Sequence, residues 1–184
     1  MERNRCRWAD PSSELYIAYH DQEWGRPEHD DQKLFEMLIL EGFQAGLSWI
    51  TILKKREAFR RAFDQFDPNL VAGYGPEKLE SLIADPGIVR NRRKIEAAVQ
   101  NAKVFLDIQR ESGSFDRYLW SFTQGQVILN TDDLVRASTE LSNCISADLK
   151  RRGMKFVGSV IIYSFLQAVG VVNDHETGCW CYPR

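Results

Sequence analysis

Four residues with metal-ligating side chains stand at the two ends of the chain: Cys6 and His20 near the start, His175 and Cys179 near the finish. Two thiolates and two imidazoles can close a tetrahedral zinc site with no position left for water, the structural type. One ion held by all four would clip the ends together and turn everything between them into a loop. The C-terminal pair has the spacing H-x3-C, which lets both side chains reach one ion across a helical turn or tight loop. The N-terminal pair, C-x13-H, is too widely spaced for a recognisable finger. Spacing alone therefore leaves a second reading open, that of buried thiols and hydrogen-bonded histidines.

A second group with chemical potential surrounds Glu41. It follows Leu38-Ile39-Leu40 and precedes Gly42, so a charge ends an apolar helical stretch, where it is costly unless it has a task. Tyr16, Tyr19, Trp24 and Trp49 lie close by in sequence. Aromatic faces with one carboxylate would make a slot for a planar, cationic, amino-bearing ligand. An aromatic core with an exposed helix-terminal glutamate fits the same residues.

The third group is the turn Leu149-Lys-Arg-Arg-Gly-Met-Lys-Phe-Val-Gly158. A helix ends in a basic cluster, Gly153 permits a sharp turn, and Gly158 lets a second helix start close to whatever faces it. Free N–H groups at that second start, with Lys155 beside them, form an anion site. This is the layout of a helix-hairpin-helix, and equally that of an ordinary αα-hairpin with a basic C-terminus. Gly87 to Ile95, another basic turn, offers either a phosphate contact or a helix cap.

The elements that must carry these groups read as helices. Asp31 is expected to cap a helix through Leu34, Phe35, Leu38 and Ile39 that stops at Gly42. Ser48 opens the next, and Asp67-Pro68 and Gly75-Pro76 each put proline at a first helical position. Asn91 starts a long amphipathic stretch that stops before Gly113. Shorter helices fit Phe115–Phe122, Leu141–Arg152 and Gly158–Val169. Gln126–Asn130 is the only candidate strand, and the fold class is all-α.

Composition narrows the classes further. The chain has 184 residues, 43% apolar and 11% aromatic, which suits one domain or two small subdomains and excludes wholesale disorder. The net charge of −2 gives no global case for a polyanionic partner, although the short basic groups leave a local one. The longest apolar stretch, Phe156 to Val172, is interrupted by Gly158, Ser159, Ser164 and Gln167, so no membrane span is expected. The opening Met1-Glu-Arg-Asn-Arg lacks an apolar leader, and a cytoplasmic location is expected. The four cysteines then read as thiols or metal ligands.

Tyr16 to Gly25, Leu40 to Ile50, Gly87 to Ile95, Arg152 to Gly158 and Val172 to His175 resemble the 3-methyladenine DNA glycosylase I family, in the family's order and across Cys6 to Cys179. The resemblance implies a helix-hairpin-helix DNA glycosylase fold: one unit of two helical subdomains over 1–184, the hairpin at about 141–170, and clasped termini at about 1–25 and 171–184. It implies one structural Zn2+ on Cys6, His20, His175 and Cys179. Glu41 and Tyr19 would contact the lesion base and Trp49 would stack on it, with Trp8, Tyr16 and Trp24 completing the wall. Gly46 and Leu47 would plug the gap left by the flipped nucleotide, and Gly153, Lys155 and Gly158 would meet the DNA. The implied reaction is monofunctional hydrolysis of the N-glycosidic bond of N3-methyladenine, by a monomer acting on alkylated duplex DNA in base excision repair. Asn173 falls where many members of the wider superfamily carry an aspartate, with Asp174 one residue off. A zinc-stabilised DNA-binding module without chemistry is the alternative. Action on 3-methylguanine, a competing thiol at Cys181 and an effect of Phe43 on pocket shape stay open.

Overall fold

Every residue from Leu34 to Phe43 is buried, although the run includes Glu36 and Glu41. A helix buried on all sides must be surrounded. The computed structural model, which describes residues 3–183, packs α2 (Asp31–Gln44) against α3 (Trp49–Ala62), α6 (Arg92–Ser112), α7 (Phe115–Ser121) and α9 (Ser159–Ala168). The remaining α-helices among the described residues are α1 (Glu14–Gln22), α4 (Pro68–Ala72), α5 (Pro76–Ala84) and α8 (Glu140–Arg151), and a 3-10 turn spans Asp64–Phe66. Residues 1, 2 and 184 of the expected clasped termini lie outside the described residues. Among the described residues no helix is long and apolar enough to cross a membrane.

The expected punctuation appears at several boundaries. The Asn91 side chain accepts from Lys94 N–H at the start of α6, and Gly113 ends that helix with φ 89°. Pro68 and Pro76 open α4 and α5. Two expectations for α2 fail. Its cap is Asp30, which accepts from Lys33 N–H. Asp31 instead accepts from the N–H groups of Phe115 and Asp116, both at 2.8 Å, and so anchors the start of α7. Nor does Gly42 end the helix. It lies inside α2 beside Phe156 of the α8–α9 turn, and a Cβ there would meet the Cβ of Phe156 at 3.5 Å, an ordinary packing distance.

The all-α class holds, with one small addition. β1 (Ile128–Leu129), inside the expected strand, pairs in parallel with β2 (Val172–Asn173), which no local pattern suggested. This ladder draws the C-terminal segment alongside the core, and Gly170 fixes where it passes. A Cβ at Gly170 would fall 2.1 Å from the backbone carbon of Arg26, so only glycine allows this approach of the N-terminal segment.

Candidate functional site

The two segments brought together in this way carry Cys6, His20, His175 and Cys179 into one buried cluster, their ligand atoms all within 4.8 Å of one another. Cys6 Sγ lies 3.4 Å from His175 Nδ1, and Cys179 Sγ lies 3.5 Å from His20 Nε2 and 3.7 Å from His175 Nδ1. A zinc ion bonding sulfur at ~2.3 Å and nitrogen at ~2.0–2.1 Å in a tetrahedron separates such atoms by about 3.6 Å. The spacing therefore fits zinc.

The surroundings fit as well. His20 Nδ1 lies 2.8 Å from Asp21 Oδ1, and a carboxylate can only accept, so the proton sits on Nδ1 and Nε2 faces the cluster with its lone pair. His175 Nε2 donates to the Trp24 carbonyl at 3.1 Å, leaving Nδ1 free in the same sense. A bidentate pair with Arg5 fixes Asp21 and holds its carboxyl well below the usual range. Burial pushes the Cys6 thiol up to about 12 and His175 down to about 4. The imidazole is thus neutral, and a thiolate at Cys6 requires a cation beside it. Cys181 lies beside the four, grouped with Asp21 and His20, and its N–H donates to Cys179 Sγ at 3.4 Å.

His20 is the neighbour of Tyr19 on α1, and on the other side of this helix end a cavity of about 390 Å³ opens. Trp8, Tyr16, Tyr19, Trp24, Glu41, Gln44, Ser48, Trp49, Ser164 and Gln167 line it, so all six aromatic and acidic residues expected around a ligand meet there. The Tyr19 and Trp49 rings lie 5.4 Å apart, and Trp8 lies 4.9 Å from Trp24 and 5.3 Å from His20, which joins the aromatic wall to the Cys/His cluster. Tyr16 also ties helices together, since its hydroxyl accepts from Ile50 N–H at 3.2 Å in the first turn of α3.

Glu41 reaches this cavity from inside α2 at only 3% exposure. Burial alone raises its carboxyl to about 8, and Oε2 has no hydrogen-bond partner. Trp49 Nε1 is buried and unpartnered too. An acceptor and a donor without partners beside one aromatic cavity suit a polar, planar ligand. Burial, then the nearby Glu41, raises the Tyr19 phenol well above its ordinary value, so it stays a neutral donor.

Gly46 and Leu47 occupy the turn between α2 and α3, where Gly46 has φ 82° and Leu47 is 41% exposed. An apolar side chain held out at the cavity's edge is suited to fill a gap in a stacked partner. Lys94 holds this turn in place. Although it belongs to the basic turn read as a phosphate contact, its side chain points inward, and Nζ donates to the Phe43 carbonyl at 2.8 Å and the Ala45 carbonyl at 2.6 Å. Phe43 is fully buried against Phe59 and Phe63 and does not line the cavity.

Gly153, Lys155 and Gly158 lie together in the turn from α8 to α9. Asn101 fastens this turn at Lys155, accepting from its N–H at 2.8 Å and donating to its carbonyl at 2.9 Å. Lys155 is exposed and shares a surface groove with Arg93, while no side chain caps the N–H groups that open α9. Asn173, the position matched to the superfamily aspartate, does not line the cavity. It donates to the Gly25 carbonyl and accepts from His175 N–H. Ser164 and Gln167, which in the sequence only interrupt an apolar run, also line the cavity, because their i, i+3 spacing places two polar groups on one helix face.

A helical scaffold with its ends drawn onto a Cys₂His₂ cluster, and beside them an aromatic slot floored by a buried carboxyl, defines an all-α class of planar-ring-binding proteins. Within that class the match is specific: the family profile described as methyladenine glycosylase covers residues 8–182, and the chain belongs to this family. The chain is 52% identical over 182 residues to DNA-3-methyladenine glycosylase 1 of Escherichia coli (strain K12), with 97% of each sequence covered. A crystal structure of 3-methyladenine DNA glycosylase I superposes with a TM-score of 0.94 at 50% identity, covering 98% of this chain and 100% of the other. A variant of 3-methyladenine DNA glycosylase I in complex with 3-methyladenine also matches at a TM-score of 0.94, with 37% identity and 98% of each chain covered.

Proposed function

We propose that the chain is a monofunctional DNA glycosylase that flips N3-methyladenine out of alkylated duplex DNA into the cavity and hydrolyses its N-glycosidic bond. The observation that carries this reading is Glu41, a buried carboxyl with an unpartnered oxygen on an aromatic-walled cavity. The complex of a relative with 3-methyladenine supports it.

Methylation at N3 leaves adenine positively charged while it is attached to the sugar, so the base is a good leaving group and needs little acid help. Trp49, Tyr19 and Trp24 attract a cationic ring through their faces. With no cation beside it, Glu41 is neutral near pH 7, its carboxyl standing at about 8. A cation beside it lowers that value and lets the carboxylate pair with the ring. Both interactions weaken once the bond breaks and the base leaves neutral, which favours release. Among the described residues no lysine lines the cavity, which supports attack on the sugar by water rather than by an amine, with the strand left uncut.

Leu47 is assigned the wedge that fills the vacated stack, at a cost of a few kcal/mol for unstacking that a damaged pair reduces. The Gly153–Gly158 turn, with Lys155, is assigned to a phosphate. Cys6, His20, His175 and Cys179 would hold one Zn2+, which in a site with four protein ligands supplies cross-linking and no activated water. The working unit is taken as a monomer, of one glycosylase body with two helical subdomains, acting on DNA in the cytoplasm.

The test is chromatography of bases released from methylated duplex DNA. Free 3-methyladenine is expected with the wild type and is lost with Glu41→Ala or Trp49→Ala. Salt-dependent DNA binding without base release would replace this reading with a non-catalytic DNA-binding module.

A further inference from the structure

Gln167 occupies the last turn of α9 and borders two cavities: the one floored by Glu41, and a smaller one of about 110 Å³ lined by Asp174 and Arg136. Its amide is held from one side only. Nε2 donates to Asp174 Oδ2 at 2.6 Å, and the same oxygen accepts from the Tyr163 hydroxyl at 2.5 Å. Because a carboxylate oxygen accepts and does not donate, the amide nitrogen must face Asp174. The carbonyl Oε1 is then the other end of the amide, and no hydrogen bond to it is found among the described residues. The backbone beneath is fixed as well, since Gln167 O accepts from Gly25 N–H at 2.9 Å.

Resting on the proposed function, we infer that Gln167 Oε1 is a second acceptor in the base cavity that, together with Glu41, selects a purine bearing an amino group at C6. Asp174 and Tyr163 are positioning residues that keep the carbonyl, and not the NH₂, turned to the base. Two acceptors suit the two hydrogens of an exocyclic amine. A 6-oxo purine would set its oxygen against them, leaving buried acceptors facing an acceptor, which a site tolerates poorly. Asp174 itself does not line the base cavity, so its effect passes through Gln167.

The experiment uses duplex DNA treated with dimethyl sulfate, which carries both 3-methyladenine and 3-methylguanine, and measures the initial release rate of each. Wild type is expected to favour 3-methyladenine. Gln167→Met keeps the side-chain length without the acceptor, and the ratio of the two rates should fall about tenfold, the size of one hydrogen bond. Asp174→Ala should lower the ratio with Gln167 intact, because the amide can then rotate. Asp174→Asn, which can still present an oxygen to Tyr163 and Gln167, should restore much of it. Metal content and melting temperature are recorded for each variant, since Asp174 neighbours His175. A merely structural role would lower both rates together and leave their ratio unchanged, and that result would overturn the inference. Wild type that released neither base would instead sink the proposed function itself.

Discussion

Tyr19 and His20 are consecutive residues of α1 that serve two different sites. Tyr19 lines the aromatic cavity with its ring 5.4 Å from Trp49, while His20 turns Nε2 to within 3.5 Å of Cys179 Sγ. The Cys/His cluster therefore sets one wall of the cavity directly, through the rotation of α1 about its axis. His175 does the same from the other end of the chain, with its ring 4.7 Å from Trp24.

Removing a ligand is expected to damage fold and cavity together. Cys6→Ser or His175→Ala should lose about one equivalent of zinc and destabilise the chain by about 3–5 kcal/mol, in the range of a lost buried network or metal site. Metal analysis with thermal melting checks this. Unchanged melting in a zinc-free variant would contradict it.

Glu41 gives a pH-dependent expectation. Between the usual 4.5 and about 8, the folded chain keeps a proton on Glu41 that the unfolded chain has released. Stability contributed by this group is thus fullest below the lower value and falls as pH rises through the window, by about 1.4 kcal/mol per unit. Glu41→Gln should flatten the curve and melt higher than wild type at pH 8, while binding a cationic base less well. Denaturant titrations from pH 5 to 8 measure the slopes. Parallel curves for the two proteins would exclude the effect.

Leu47 is too exposed for its loss to matter to the fold. Leu47→Ala should shift stability by no more than about 0.5 kcal/mol and slow base release from duplex DNA. Release from single-stranded DNA, which has no gap to fill, should change far less. Equal losses on both substrates would argue against a wedge.

Lys94 should reveal itself through the same turn. Lys94→Met leaves the Phe43 and Ala45 carbonyls without their donor, at a cost of about 1–3 kcal/mol. Base release should fall with it, whereas Arg93→Met, altering an exposed neighbour, should affect salt-dependent DNA affinity more than melting. Identical phenotypes for the two variants would refute the distinction.

Much of the helical framework could be read locally, because caps and stops act within a turn of the residues that encode them. Asn91 and Gly113 bound α6, and Pro68 and Pro76 open their helices, for that reason. The failures share the opposite character. Asp31 looked like the cap of its own helix, yet its carboxylate is used by the start of α7, 84 residues away. Gly42 looked like a stop, but with Phe156 packed over it the helix continues to Gln44. The β1–β2 pair and Lys94 were invisible for the same reason, since their partners are distant in the chain.

By itself the sequence determined which donors exist: two thiols, two imidazoles, a carboxyl after an apolar run, and aromatic rings near both, in an order that resembles one family. The tertiary structure decided what those groups are. Cys6 and Cys179 converge because Gly170 admits the backbone at Arg26 and β2 aligns with β1. Glu41 stands at about 8, and keeps an oxygen free, because helices packed around α2 remove water without supplying a partner. Side-chain identity is local, but desolvation and the absence of a hydrogen-bond partner depend on everything packed nearby. That is why the acid reads as an ordinary glutamate in the chain and as an unsatisfied acceptor in the fold.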